Sequence, residues 1–404
     1  MPSKYSILFF LVFFASSYSQ DCHSNESEQS LNVLIVGAGP AGLSVAKALQ
    51  NRGIYPDIIE KQARVIFDGA GFAVPANGSW ALEKLGIDIS DKALIISKMQ
   101  FTDDQGNLLA EDRVDTIHPD GSQFYSLSRN ELMDSLLASL DKNTHIQTST
   151  TITHFSEEES QVKVVFSDGR VGFYDLVIGC DGVRSTLRSK IHPEELPIFL
   201  GLFVWRAIVS SSLDLAMPTY MLGSDRGVLL YPMVNNKMYV YGHIFQPVKD
   251  SDVGPFSKEF SSFGGDVPEV IDAIEREQTK FHHSHMYKSH SVRFTLDGFS
   301  RVLLMGDASH ACGPMLQNGA AQSFEDAYVL QDLLTDRVTK EEIACLVQDF
   351  KNRRLARVEK VYLMSNAKIQ AISDPMQIIG RNEAIRRDGP PNVNAFKMLM
   401  QQNP

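Results

Sequence analysis

Cysteine is scarce in this chain. Only Cys22, Cys180, Cys312 and Cys345 occur, far apart and with no CxxC pair, so neither a zinc site nor a dense disulfide framework is expected. Basic charge is also lacking: 38 Lys+Arg against 49 Asp+Glu leave a net charge of −11. A nucleic-acid binder would need a basic face to neutralise phosphates, so that class is excluded. No apolar run reaches the ~18 residues that span a bilayer, and no internal repeat or low-complexity tract is visible. What remains is the ordinary balance of a globular protein, 43% hydrophobic and 22% charged. At roughly 150 residues per domain, the 404 residues suggest two or three units.

The start of the chain has its own pattern. Lys4 precedes the apolar run Ile7–Ala15, and small or polar residues follow at Ser16–Gln20. A weakly positive start, a short apolar stretch and serines at the −3 and −1 positions of a cut after Ser19 predict a secretory signal peptide over residues 1–19. The alternative is an uncleaved N-terminal membrane anchor, for which the run is short. The expected location is accordingly the secretory pathway or the exterior, or an anchored form. Asn25-Glu26-Ser27 and Asn77-Gly78-Ser79 fit the glycosylation triplet, which has meaning only in a eukaryotic secretory setting.

Leu31-Asn32-Val33-Leu34-Ile35-Val36 is a short β-branched run, the pattern of a strand buried on both faces. Gly37-Ala38-Gly39-Pro40-Ala41-Gly42 follows at once, then Leu43–Leu49 at helical spacing, ended by Gly53. Tyr55–Glu60 reads as a second strand closed by an acid. Gly37 permits the tight turn, Gly39 lets the backbone approach a pyrophosphate, and Gly42 lets helix pack on strand. Ala41 belongs to the same loop, and the helix N-terminus offers free N–H groups to phosphate. Glu60, eighteen residues past Gly42, suits an unphosphorylated ribose and repels a 2′-phosphate, which favours FAD or NAD over NADP at this site. Arg64 is either a surface charge or a cofactor contact.

Two later stretches are built alike. Asp175–Arg188 is an apolar strand running into Asp181-Gly182 and a helix start that includes Arg184. Arg301–Met305 is another buried strand, followed by Gly306-Asp307-Ala308-Ser309-His310, Pro314, Gly319-Ala320-Ala321 and Glu325-Asp326-Ala327. With these three motifs in this order, the chain resembles the single-component FAD-dependent aromatic monooxygenases, such as para-hydroxybenzoate hydroxylase and salicylate hydroxylase, over about Leu31 to Arg357. Ser128-Arg129-Asn130-Glu131-Leu132 and Trp205-Arg206-Ala207 are lesser echoes.

The resemblance implies tightly bound FAD and an NADH or NADPH that docks transiently, in keeping with the lack of a second GxGxxG. It places Gly37, Gly39 and Gly42 on the pyrophosphate and Glu60 on the adenosine ribose. Arg129 falls near the phosphates and ribityl chain, and Asp307 on the ribityl hydroxyls. Asp181 and Arg184 are central to a motif serving both nucleotides. The helix after Pro314 starts near Asn318-Gly319-Ala320, and its N–H groups would face the flavin pyrimidine edge, where negative charge gathers on reduction. Many relatives have Gln-Gly where Asn318-Gly319 stands.

The implied fold is mixed α/β: a Rossmann-like FAD-binding domain of glutathione-reductase type (31–190 and 295–365), an inserted β-sheet substrate domain (191–294), and a C-terminal tail (366–404) with helices. The implied reaction uses NAD(P)H and dioxygen, through a flavin C4a-hydroperoxide kept dry by the protein, to hydroxylate an aromatic or phenolic small molecule. Alternatives are epoxidation of an alkene by the same chemistry and a flavin-binding module without turnover. The Trp-x-Trp-x-Ile-Pro motif of flavin halogenases is absent. A tension remains with the N-terminus, since NAD(P)H is regenerated mainly in the cytosol.

On the substrate side, Leu202–Val209, Gly227–Pro232 and Lys237–Gly242 read as strands forming one wall over the flavin ring, with Gly69–Pro75 opposite. Arg206 is the candidate anchor for a carboxylate or phenolate, and Tyr231 and His243 are candidate proton handlers; each has a core or rim role as its alternative. No metal is expected: His282-His283-Ser284-His285 alternate faces if they lie in a strand, with no completing acid or cysteine pattern. His310 lies inside the third motif, in a structural or catalytic role. Cys180 and Cys312 are expected beside the cofactor as small apolar residues. Glu341–Lys368 reads as one long helix whose Arg353, Arg354, Arg357 and Lys360 form a solvated face. Partners are an aromatic or unsaturated small molecule and dioxygen; the protein is a monomer or a homodimer.

Overall fold

Val33–Val36 is apolar at every position because it is the middle of a five-stranded parallel sheet. Leu176–Gly179 pairs on one side and Asp57–Ile59 on the other, with Val302–Leu304 and Ile146–Gln147 at the edges. The computed structural model describes residues 31–404 apart from 66–69, 116, 119, 211, 212, 214, 216, 250–252, 335–337, 374 and 401–403, and not the side chains of 370–379. The expected leader at 1–19, the triplet at Asn25, and Gly69 lie outside the described residues. Leu31–Pro404 forms one unit.

Both faces of the sheet are covered. Leu43, Val45 and Leu49 of the helix Pro40–Gln50 pack on one face together with Phe324 and Leu330 of the helix Gly319–Leu333. On the other, Leu34, Val36 and Val177 meet Phe155, Val162 and Val164 of a three-stranded antiparallel sheet.

A seven-stranded sheet forms the second layer system, in the order His282–Lys288, Ile198–Ser210, Lys237–Phe245, Arg226–Met233, Thr219–Leu222, Lys98–Asp103, Leu108–Arg113. Its last two strands come from outside 191–294, so that range does not bound the sheet. Alternation sorts the residues: Val228, Leu230 and Val240 pack towards Phe256, Phe260 and Val270, whereas Leu229, Tyr231, Tyr239 and Tyr241 look the other way. Arg206 lies opposite Tyr241, and Val204 opposite His243. His282–His285 do form strand, at the sheet edge, with His282 and His283 exposed.

The long helix runs Ile343–Ser373, and two more follow, Pro375–Asp388 and Pro391–Met400, joined at Gly389 in the left-handed region, φ +81. The basic run on the long helix is not one solvated face. Arg354 is fully buried. Its Nη1 donates to Glu325 at 2.8 Å and its Nε to Asp326 at 2.8 Å. Arg357 Nε donates to Glu325 at 2.7 Å, while Arg353 stays at the surface and meets Asp332. Asn77, read as part of a glycosylation triplet, is also buried; its Nδ2 donates to Glu325 at 2.6 Å.

Burial alone would raise both carboxyls. For Glu325 it is outweighed by Arg354 and Arg357, and for Asp326 by His310 and Arg354, so both are lowered. Their contribution to stability is complete above the unfolded carboxylate pKa of about 4 and is lost as pH falls through the lowered folded values. Arg354→Met removes one partner and leaves two buried carboxylates short of charge. We expect a loss of about 3–5 kcal/mol in urea unfolding at pH 7, shrinking as the pH is taken below about 4; a variant within 1 kcal/mol of wild type at pH 7 would contradict this ledger of buried charge.

Candidate active site

The carboxyl end of the parallel sheet opens into a cavity of about 500 Å³. Three separate stretches of chain meet there. Gly37, Gly39 and Ala41 line it from the first loop, Asp181 and Gly182 from the second, and Asp307, Pro314, Gly319 and Ala320 from the third. Glu60 and Arg129 join them. A cavity of this size at this place is where open α/β sheets bind ligands.

The first loop is built for close approach. Gly37 has φ +105, and a Cβ there would stand 2.5 Å from the carbonyl oxygen of Cys180. A Cβ on Gly42 would meet Gly37 O at 1.9 Å, so Gly42 serves the packing of helix on strand and does not line the cavity. A Cβ on Gly39 would meet open space. Glu60 faces the same loop: its Oε2 accepts from Ala38 N at 3.0 Å.

Asp181 Oδ2 accepts from Thr186 N at 2.6 Å, at the start of the helix Thr186–Ile191, and its Oδ1 is buried without a partner among the described residues. Arg188 then ties the second motif to the third: Nη1 donates to Ala308 O at 2.7 Å and Nη2 to Val183 O. Gly306 N and His310 Nε2 both bond Asp326 Oδ2, at 3.1 and 2.7 Å. His310 is thus a buried brace for the Gly-Asp turn. Burial raises the Asp307 carboxyl against the pull of His310 and Arg129. Arg129 is desolvated, which lowers it, and its Nε lacks a partner among the described residues. Cys180 and Cys312 line the cavity as thiols that burial pushes up, Cys312 to about 12.

The far wall is the inner face of the seven-stranded sheet, with Arg206, Leu229, Tyr239 and Tyr241; Phe72 and Met286 complete it. Arg206 Nη2 donates to Ser284 Oγ at 2.9 Å and Nε is buried without a partner among the described residues. Burial pushes the Tyr239 phenol up to about 12, against the pull of Arg206.

Several expected site residues stand elsewhere. Tyr231 is on the same sheet face as the wall but fully buried against Phe124, outside the cavity lining; its hydroxyl lies 2.8 Å from that of Tyr220 and donates to Gln317 Oε1 at 2.7 Å. Burial and Tyr220 hold it protonated, so it is no proton handler at the cavity surface. His243 lines a neighbouring cavity; burial and then Arg381 lower it to about 4, so it is neutral at pH 7. Asn318 is buried behind the helix start, its Nδ2 donating to Asn77 Oδ1 at 3.3 Å, and only Gly319 and Ala320 reach the cavity. Arg184 is exposed, stacked 4.7 Å over Tyr287, and Arg64 is exposed; neither lines the cavity. Among the described residues, His192, Glu194 and Glu195 bring ligand atoms within 4.8 Å of one another, but Arg293 already holds Glu195 at 2.6 Å, and they lie outside the cavity lining.

Four residues of the site carry no role in the sequence reading. Arg188 ends the second motif, which assigns it no role of its own. Gln317 sits at φ +53 just before the helix and carries no motif signal of its own. Tyr239 and Tyr241 could have been found, since alternate positions of one strand share a face.

The residues present fit a flavin dinucleotide. A loop with room for phosphate, an acid beside it, and buried Arg129 and Asp181 atoms lacking partners among the described residues make a polar half; an aromatic wall makes the other. Fold and site together define a flavin-type dinucleotide-binding protein. The chain belongs to the FAD binding domain family, whose sequence pattern it matches over residues 30–365. It is 27% identical over 349 residues to 3-amino-4-hydroxybenzoate 2-monooxygenase of Streptomyces cremeus, covering 83% of this chain and 86% of that one. It is 29% identical over 336 residues to a dual trans-enoyl reductase/FAD-dependent monooxygenase of Aspergillus terreus, covering 76% of this chain but only 48% of that longer protein. HpxO of Klebsiella pneumoniae, solved with FAD and uric acid, superposes with a TM-score of 0.83 over 93% of this chain and 98% of that one; at 23% identity this likeness speaks for the fold.

Glu60→Ala removes a charged acceptor from the cavity. It should weaken FAD binding by about 10- to 100-fold, measured by fluorescence titration of the stripped protein, and an unchanged Kd would remove Glu60 from the site.

Proposed function

We propose that the protein is an FAD-dependent monooxygenase that hydroxylates an aromatic small molecule, with NADH or NADPH as reductant and dioxygen as oxidant. The observation that carries this reading is one cavity with two unlike halves: nucleotide-gripping loops at one end and an aromatic sheet face at the other. The names of the relatives point the same way.

When bound, FAD supplies electron transfer from NAD(P)H and oxygen transfer to the substrate. The chain does the rest. Gly37 N and Ala38 N are held by Ile59 O and Glu60, so the N–H groups of Gly39 and Ala41, at the start of the helix Pro40–Gln50, would face the pyrophosphate, and Glu60 would accept from the adenosine ribose. Asp307 would accept from the ribityl hydroxyls. The N-terminus of the fifteen-residue helix Gly319–Leu333 brings Gly319 and Ala320 to the cavity, where its positive end would favour negative charge developing on a bound flavin. Tyr239, Tyr241, Leu229, Met286 and Phe72 exclude water from the reacting face. Arg206 is the cation on that wall, placed to hold a phenolate and so raise electron density at the attacked carbon.

The test is a panel of phenols and aromatic acids with the FAD-loaded protein, NADH or NADPH, and ¹⁸O₂. At least one compound should accelerate NAD(P)H oxidation and emerge with one ¹⁸O per turnover. Stimulated oxidation that yields only hydrogen peroxide across the panel, or no stimulation at all, would contradict hydroxylation.

A further inference from the structure

Beside the flavin cavity lies a second one of about 370 Å³, bounded by the C-terminal helices. Leu229, Tyr241, Pro314 and Gln317 line both, so the two chambers share a wall just before the helix Gly319–Leu333. Most of the second chamber is apolar, with Phe101, Val228 and Ile385 among its walls. Its polar groups are unusual for such a place.

Lys368 reaches it from the long helix and has no acid partner among the described residues; burial without a countercharge lowers it to about 8. Arg381 reaches it from the next helix and donates only to neutral acceptors, Gly223 O at 2.7 Å, Leu222 O at 3.2 Å and Asn382 Oδ1 at 3.1 Å. His243 Nδ1 and Tyr241 Oη are both buried without partners among the described residues, on one face of the strand Lys237–Phe245. Among the described residues Asp388 is the one carboxylate in the lining, and Arg387 occupies it at 2.7 Å. Among the described residues neither cation is ion-paired: Asp104 acts on Arg381 only through space, and no acid offsets the burial of Lys368. Two such cations in a largely apolar chamber, within a chain of net charge −11, are costly unless an anion joins them.

We propose that this chamber receives the carboxylate end of the substrate, gripped by Lys368 and Arg381, while the flat apolar body extends past Gln317 and Tyr241 to the flavin cavity. Arg381 is pre-positioned by the two carbonyls it holds, and Lys368 supplies a mobile point charge. A grip at the far end sets which carbon of the ring faces the flavin, so these two residues of the C-terminal helices determine specificity. The inference rests on the proposed function for the chemistry at the other end.

The probe pair is 4-hydroxycinnamate and its neutral amide, measured by equilibrium dialysis against the FAD-loaded protein at pH 7. The acid should bind about 10- to 100-fold more tightly than the amide. Lys368→Met and Arg381→Gln should each shrink that ratio, with amide affinity little changed. Should Arg381→Gln fail to fold, the Lys368→Met ratio decides alone. Equal affinity for acid and amide, no binding of the acid, or a ratio unmoved by substitution overturns the proposal. Dialysis needs no turnover, so the two readings fail separately. Preference for the acid without any NAD(P)H oxidation would spare this inference and sink the function; hydroxylation without charge preference would do the reverse.

Discussion

The site depends on a charge buried far from solvent. Arg354, on the long C-terminal helix, holds Glu325 and Asp326 in the helix Gly319–Leu333. Asp326 in turn accepts from Gly306 N and His310, which fixes the Gly-Asp turn and with it the place of Asp307. A hydrophobic replacement of such a cluster can be as stable, so stability is a weak reason for its presence. Its geometric effect is stronger. It registers two helices against the turn that faces the flavin cavity, and it uses both carboxylate oxygens of Asp326 to do so.

Arg188 does the same work between the second and third motifs. Its guanidinium spans from Val183 O to Ala308 O, so the Asp181 turn and the Asp307 turn cannot drift apart without leaving buried N–H groups unmatched. Glycines close the remaining gap, since the Gly37 and Gly42 positions leave no room for a side chain. The cavity is therefore a joint among three loops whose spacing is set by buried polar bonds. The seven-stranded sheet then brings Arg206, Tyr239 and Tyr241 over it from another part of the chain.

Much of this was legible from local pattern. The run Val33–Val36 and the glycines at 37 and 42 each state a backbone requirement within a few residues, and the structure meets them, with Glu60 brought to the same cavity. The strands of the substrate sheet were legible too, though not the pairing with Lys98–Asp103, which depends on distant register. Charge burial was not legible. Arg353, Arg354 and Arg357 look alike in sequence, yet Arg354 is buried because Glu325 and Asp326 come to meet it. Asn77 satisfies a glycosylation triplet and is nevertheless enclosed among Glu325 and Asn318. Tyr231 and His243 were natural proton handlers by residue type, but one is buried in the core beside the cavity and the other opens on the neighbouring chamber. The three C-terminal helices had no motif, so their part in forming a second chamber came only from the fold.

The central claim is that three distant loops, held in register by buried charge, grip one flavin nucleotide. Absorbance titration of the stripped, folded protein with FAD tests it most directly. The account predicts saturable binding at one FAD per chain, with the flavin retained through gel filtration. Folded protein that stays colourless at saturating FAD would contradict it.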